Sequence, residues 1–193
     1  MERICAVTDG VYAIVITLLV FDLKPPETPG LIEGQLLDAL LIKARSFITY
    51  IISFVLIALF WFRHHEIFKS LTCCNNFFIG INFFHILFLT LIPFTASLAG
   101  RYEEDQLAVL LFLSNLWLCG LSIELLSQYV LNKTEWHEKE SEEQLLKQHW
   151  LYRYSVTVVV IPAIIVSFFN HNVALHMCFA FPVVVGLVAR RIK

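Results

Sequence analysis

The 193-residue sequence predicts an all-α membrane protein with six transmembrane helices. Hydrophobic residues make up 58% of the chain, whereas soluble domains contain about 45–50%. Charged residues make up only 16%, against about 25% in soluble domains. Six apolar runs approach or exceed the ~20 helical residues that are needed to cross the hydrocarbon core of a bilayer.

The predicted spans follow one another in a single domain that covers residues 1–193. Their approximate ranges are 4–23, 46–62, 77–99, 107–131, 154–170 and 173–189. The second, fifth and sixth runs are short and need flanking residues to cross the bilayer. The segment "NHN" between the last two predicts a very tight hairpin.

The first run differs from a secretory signal peptide, which needs a cationic head and a small-residue cleavage site. Its head carries both Glu2 and Arg3, Asp9 interrupts the approach, and "FDLKPP" offers no cleavage pattern. We therefore predict that it stays as the first span. The segment "KPPETPG" then ends the helix, because proline cannot continue it. The following "LIEGQLLDALLIKA" has the spacing of a short amphipathic helix at the membrane interface.

The distribution of lysine and arginine predicts the orientation. Ten of these residues fall on the side that holds both termini, with Arg63 and Lys69 counted in the second connection, and four fall on the other side. Cytoplasmic loops carry the excess of positive charge, so we predict that both termini are cytoplasmic. The hydrophilic connection at 132–153 lies on the same side and reads as a solvated helix or loop.

Polar residues of the first three spans are predicted to lie at one depth near the inner boundary. An unpaired charge costs several kcal/mol at that depth, whereas hydrogen-bonded groups are tolerated. Two interpretations stay open: a buried polar clamp that fixes the base of the first helix, or side chains that face headgroups and water. The candidates are Arg3, Thr8, Asp9, Trp61, His64, His65 and Asn82, with Asn76 and His85 nearby.

The rest of the first span is uniformly apolar. Ile14, Thr17, Leu18 and Phe21 follow the i, i+3, i+4, i+7 spacing and form one stripe without charge. The opposite face, which includes Tyr12, is as apolar as the stripe. Periodicity alone therefore leaves open whether the stripe lines a pore or packs against lipid or other helices.

Other functional classes find little support. Five cysteines without CxxC spacing predict no metal site and no disulfide framework, and a net charge of −2 predicts no nucleic-acid partner. The segment "RHHEIF" lacks the HExxH spacing of zinc enzymes. No nucleophile elbow or phosphate-binding loop is present, so we expect neither enzymatic activity nor a cofactor.

The pattern Arg-x-x-x-Val-Thr-Asp at 3–9 resembles the Arg-x-x-x-Phe-Ser-Asp signature of the transmembrane protein 175 family of potassium channels. The segments "FWFRHHEIF" and "INFFHILFLTLIPFTASLAGRY" are similar to the second and third spans of that family. The resemblance covers about the first hundred residues, and the remainder matches mainly by span count. Val7 and Thr8 depart from the signature, but both ionic positions are kept.

The resemblance implies a homotetramer in which the first helix of each subunit lines a central pore. It assigns the narrowest ring to Ile14 and the next inward-facing positions to Leu18 and Phe21. It implicates Thr17 in cation selectivity, and Arg3 and Asp9 in interhelical hydrogen bonds. The implied partners are potassium ions, other copies of the chain and the bilayer, with no metal beyond transient K⁺. The implied location is a bacterial cell membrane, which the chain crosses several times.

The sequence contains no Thr-Val-Gly-Tyr-Gly filter motif. A ring of Ile14 side chains is therefore expected to gate by dewetting. Threonine hydroxyls one turn away replace part of the hydration shell, which predicts modest selectivity for potassium over sodium. The alternative is a proton-coupled secondary transporter. It rests on Glu124, on His85 and His176, and on prolines that break helices within the membrane.

Overall fold

The structure, a computed structural model, describes residues 2–25, 35–102, 104–133 and 155–170, together with residues 173, 174 and 177. This part of the chain is all-α. Its helices, in chain order, are α1 (Glu2–Leu18) with a 3₁₀ extension (Leu19–Asp22), α2 (Gln35–Ile42), α3 (Ala44–Lys69), α4 (Asn76–Arg101), α5 (Gln106–Leu131) and α6 (Ser155–Ser167).

Four helical segments are long and apolar enough to cross a membrane. They are Glu2–Asp22, Ser46–Lys69, Asn76–Arg101 and Gln106–Leu131, and they coincide with the first four predicted spans. A shorter apolar helix, Val156–Ser167, lies within the fifth predicted span. Most of the sixth predicted span at 173–189, and the connection at 132–153 beyond residue 133, lie outside the described residues. The count of six spans therefore stays a prediction.

The helix that contains the second predicted span continues beyond residue 62 to Lys69, so the short predicted run is extended by its flanking residues. The segment after residue 62 keeps a buried face, on which Arg63 and His64 are each 2% exposed and Ile67 is fully buried. Arg63 is therefore not a loop residue. Without it the lysine and arginine count is still nine against four, so the predicted orientation does not depend on it.

The core lies where α4 and α5 pack along each other, with α3 beside them and α6 on α5. Close approach of α5 and α6 requires a glycine: a Cβ added to Gly120 would lie 2.5 Å from Cγ1 of Val156. Side chains cap α4 and α5 at their starts. Asn75 accepts a hydrogen bond from the backbone N–H of Phe78 at 2.9 Å, and Asp105 accepts one from Leu107 at 2.8 Å.

The first helix packs with one face against α3 and α4. Thr8, Tyr12, Val15 and Leu19, which recur at helical spacing, are each no more than 2% exposed. The predicted helix in "LIEGQLLDALLIKA" is present as α2, which exposes most of its leucines. Its position at the membrane interface stays a prediction.

Candidate functional site

The face of α1 opposite the core is open along its length. Ile14 is 59% exposed, Leu18 is 44% exposed and Phe21 is 73% exposed. Thr17 is exposed on the same face, and its hydroxyl donates a hydrogen bond to the Ile14 carbonyl oxygen at 2.8 Å. The predicted stripe is thus a continuous, uncharged surface of the single chain.

The N-terminal half of α1 is joined to α3 by its aspartate. The indole Nε1–H of Trp61 donates to Oδ1 of Asp9 at 3.0 Å. The ring of His65 stacks on Trp61, with centroids 5.4 Å apart and an angle of 25° between the planes. The structure therefore brings Asp9, Trp61 and His65 together at the edge of the helix packing.

A second, fully buried connection lies one residue earlier on α1. Thr8 donates to the Ile4 carbonyl oxygen at 2.9 Å, so its oxygen is the acceptor for Nδ2 of Asn82, also at 2.9 Å. The other side of this amide, Oδ1, pairs with Nε2 of His64 at 2.8 Å. Because an amide oxygen only accepts, Nε2 of His64 carries the proton. Asn82 therefore links α1, α3 and α4 while using one donor and one acceptor.

Arg3 is the predicted polar residue that stands apart. Its side chain is exposed, and within the described part of the chain no hydrogen bond or ion pair joins it to the other candidates. The structure thus brings together Thr8, Asp9, Trp61, His64, His65 and Asn82, and leaves Arg3 on the open face of α1.

The structure contains a third connection, for which the sequence indicated His85 as a polar candidate but neither of its partners. The hydroxyl of Tyr12 lies 2.6 Å from Nε2 of His85, and Nδ1 of His85 lies 2.9 Å from Oγ of Ser122 on α5. His85 and Ser122 are fully buried. The signal that was available is the histidine in the middle of an apolar run, because a buried imidazole requires partners.

Two further polar groups are buried or paired away from this site. Arg63 donates from Nη2 to Oγ of Ser127 on α5 at 2.7 Å. At the other end of the spans, Asp22 accepts a hydrogen bond from Ser97 at 2.8 Å and lies 3.4 Å from Nη2 of Arg101. In the described residues, no group of three or more His, Cys, Asp or Glu side chains could hold a metal ion.

Residues 3–93 match the family model of the endosomal/lysosomal potassium channel TMEM175. The chain is also 27% identical over 198 residues to a potassium channel of Chamaesiphon minutus, with 96% of this chain and 93% of that protein covered. The resemblance to the TMEM175 family is confirmed. A crystal structure of a lysosomal potassium-selective channel TMEM175 homolog from Chamaesiphon minutus matches the fold with a TM-score of 0.83 at 24% identity, over 100% of this chain and 97% of that one.

Two other relatives match over a shorter segment. A potassium channel of Streptomyces collinus is 34% identical over 105 residues, which are 54% of this chain and 50% of that protein. The chicken protein named endosomal/lysosomal proton channel TMEM175 is 35% identical over 111 residues, and the match covers 22% of its length. The chain thus spans half or less of the length of these two relatives.

Proposed function

We propose that four copies of this chain assemble around α1 into a potassium channel with modest selectivity over sodium. The observation that carries the proposal is the uncharged stripe of α1, which stays open although the opposite face of the same helix is packed tightly. Two relatives named potassium channels support the nature of the ion. In a tetramer, the stripe is the surface on which the four copies would meet.

The geometry of Thr17 suits contact with a cation. Its hydroxyl proton is used in the hydrogen bond to the Ile14 carbonyl at 2.8 Å, so the lone pairs of the oxygen are left to face away from the backbone. Four such oxygens offer a partial replacement for the hydration shell of an ion. An incomplete shell favours potassium only slightly, because potassium gives up water more readily than sodium.

The ring of Ile14 is the proposed gate. Four branched apolar side chains at one level make a constriction that excludes water when it is narrow and admits hydrated ions when it widens. Leu18 and Phe21 continue the pore beyond Thr17. The contacts of Thr8 and Asp9 with α3 and α4 hold the opposite face of the helix, so that the stripe keeps its orientation.

We propose an integral location in a bacterial cell membrane, with both termini cytoplasmic. The four long apolar helices support membrane insertion, and the lysine and arginine bias supports the orientation. The transporter alternative is not favoured, because the relatives named above are channels. No catalytic role is proposed.

Single-channel recording of the purified chain in planar bilayers tests the pore face. Ile14→Ala should raise the conductance, because it widens the constriction, and Thr17→Ala should lower the permeability ratio of potassium to sodium. Ile51→Ala is the control for the first change, since Ile51 is 48% exposed on α3. Thr90→Ala is the control for the second, since Thr90 is exposed on α4 and donates to Leu87 at 2.9 Å.

Both control variants should conduct and select as the unaltered chain does. The proposed pore face is wrong if Ile14→Ala and Thr17→Ala leave conductance and selectivity unchanged, or if the two controls change them to the same extent.

A further inference from the structure

We propose that Tyr12, His85 and Ser122 form a positioning bridge that fixes the rotation of α1 about its own axis, and thereby the direction in which Ile14 points. This inference rests on the proposed function for its consequence in conduction. The effect of the bridge on helix packing does not depend on ion conduction, and it is tested separately.

The bridge spans three helices. Tyr12 on α1 is 1% exposed, and its hydroxyl lies 2.6 Å from Nε2 of His85 on α4. Nδ1 of His85 lies 2.9 Å from Oγ of Ser122 on α5. The ring of Tyr12 also lies against two imidazoles, with centroids 5.7 Å from His64 and 5.8 Å from His85. Through His85, α1 is connected to the most deeply packed part of the structure.

The hydrogen bonds of the bridge have one consistent direction. Ser122 donates its only hydroxyl proton to the Cys119 carbonyl oxygen at 2.6 Å. Its oxygen must then accept from Nδ1–H of His85, which leaves Nε2 as the acceptor for the O–H of Tyr12. Each donor in this chain of bonds has a buried acceptor, so both ring nitrogens of His85 are hydrogen-bonded.

The position of Tyr12 allows the bridge to fix the rotation of α1 about its own axis. Successive residues of an α-helix are turned by about 100°, so Tyr12 and Ile14 lie about 200° apart around α1. A bond that holds Tyr12 towards α4 therefore directs Ile14 away from the core. Both residues lie on the same turn, so little flexible backbone separates the bond from the proposed gate.

Apolar contacts alone would fix this rotation less well. Val15 on α1 and Leu19 in its 3₁₀ extension are buried on the same face as Tyr12. They keep favourable contacts through small rotations, because dispersion attraction between many atom pairs changes little when the helix turns slightly. A buried hydrogen bond is directional, and breaking it leaves a polar group without a partner. The bridge is also separate from the contact of Asp9 with Trp61, which reaches α3 near the surface.

The rotation is tested by the rate at which a water-soluble maleimide labels Ile14→Cys in liposomes, measured above the blank set by the chain without this substitution. Adding Tyr12→Phe keeps the ring but removes the hydroxyl. It should change the labelling rate at least about threefold, which is the equilibrium effect of a typical interhelical hydrogen bond in a membrane. Ser122→Ala should act in the same direction, and the double variant should differ little from Tyr12→Phe alone.

Ser53→Ala is the matched control for Ser122→Ala. Ser53 is fully buried on α3, and its hydroxyl donates to the Thr49 carbonyl at 2.8 Å within the same helix. Its loss should leave the labelling rate unchanged. The proposal is overturned if Tyr12→Phe and Ser122→Ala both label as the chain that carries Ile14→Cys alone, or if Ser53→Ala shifts the rate as much as they do.

Single-channel recording separates the bridge from the proposed function. If the chain is a channel, Tyr12→Phe and Ser122→Ala should alter conductance or open probability, and Ser53→Ala should alter neither. A chain that carries no current overturns the channel, while the labelling rates still decide whether the bridge sets the rotation. Conduction that is unchanged by Tyr12→Phe, despite a changed labelling rate, would overturn the link to the gate.

Discussion

Replacing Asn82 by leucine is expected to destabilise the packing of α1, α3 and α4 by about 2 kcal/mol. The side chain is fully buried and makes two hydrogen bonds, to Thr8 Oγ1 at 2.9 Å and to His64 Nε2 at 2.8 Å. Leucine has a similar volume, so the change removes polar contacts and opens no large cavity.

The two lost bonds differ in their consequences. Thr8 keeps its donation to the Ile4 carbonyl, so the loss of its partner costs about 0.6 kcal/mol, the average for an interhelical bond in a membrane. His64 is 2% exposed, and its Nε2–H is left without an acceptor, which costs about 1–3 kcal/mol. The unpaired Nε2–H of His64 therefore accounts for the larger part of the lost stability.

Asn115→Leu is the matched control. Asn115 is buried and also makes two hydrogen bonds through Nδ2, to the Phe88 carbonyl at 3.2 Å and to Thr95 Oγ1 at 3.3 Å. The removal strands no donor, because the Thr95 hydroxyl still donates to the Leu91 carbonyl. We expect a loss of about 1 kcal/mol or less.

Equilibrium unfolding in mixed detergent micelles measures both variants against the unaltered chain. The expected order is the unaltered chain, then Asn115→Leu, then Asn82→Leu, with about 1 kcal/mol between the variants, or about fivefold in the unfolding constant. Equal losses for the two variants, or a larger loss for Asn115→Leu, would refute the reasoning that the His64 donor decides the cost.

Two further predictions use the same unfolding assay. Gly120→Ala should destabilise the fold by about 1–3 kcal/mol, because the added Cβ would lie 2.5 Å from Val156. The control is Gly80→Ala, where nothing lies within 4 Å of the added Cβ, and it should stabilise the fold by up to about 1 kcal/mol. An unchanged stability of Gly120→Ala would contradict the close contact of α5 with α6. Asp9→Ala should lower the free energy of unfolding by about 1 kcal/mol, because it removes the acceptor of the Trp61 N–H. Asp9→Asn keeps an acceptor oxygen and should lower it clearly less. Equal losses for the two variants would contradict a stabilising hydrogen bond between Asp9 and Trp61.

Depth along the spans could be predicted from the sequence, and rotation could not. The polar residues of the first three spans lie at similar levels because consecutive spans run in opposite directions. Which of them touch depends on how each helix is turned about its axis. That is why Asn82 could be placed near Thr8 in advance, while the exposed position of Arg3 could not.

The roles of Arg63 and Tyr12 could not be predicted, because their hydrogen-bond partners are distant in the sequence. Arg63 was counted in the second connection because it follows the apolar run that ends at residue 62, but Ser127, 64 residues further on, accepts its hydrogen bond inside the packing. Tyr12 was assigned to an apolar face because most of a tyrosine ring is apolar. Its hydroxyl acquires a role only when His85, 73 residues away, is brought to 2.6 Å.

Ion flux from liposomes that contain the purified chain tests whether it is a potassium channel with its constriction on α1. If the chain is a potassium channel gated at Ile14, potassium efflux should exceed that of protein-free liposomes, should exceed sodium efflux by a modest factor, and should increase in Ile14→Ala. Efflux equal to that of protein-free liposomes for both ions would contradict the channel. Efflux that Ile14→Ala leaves unchanged would contradict the assignment of the constriction to α1.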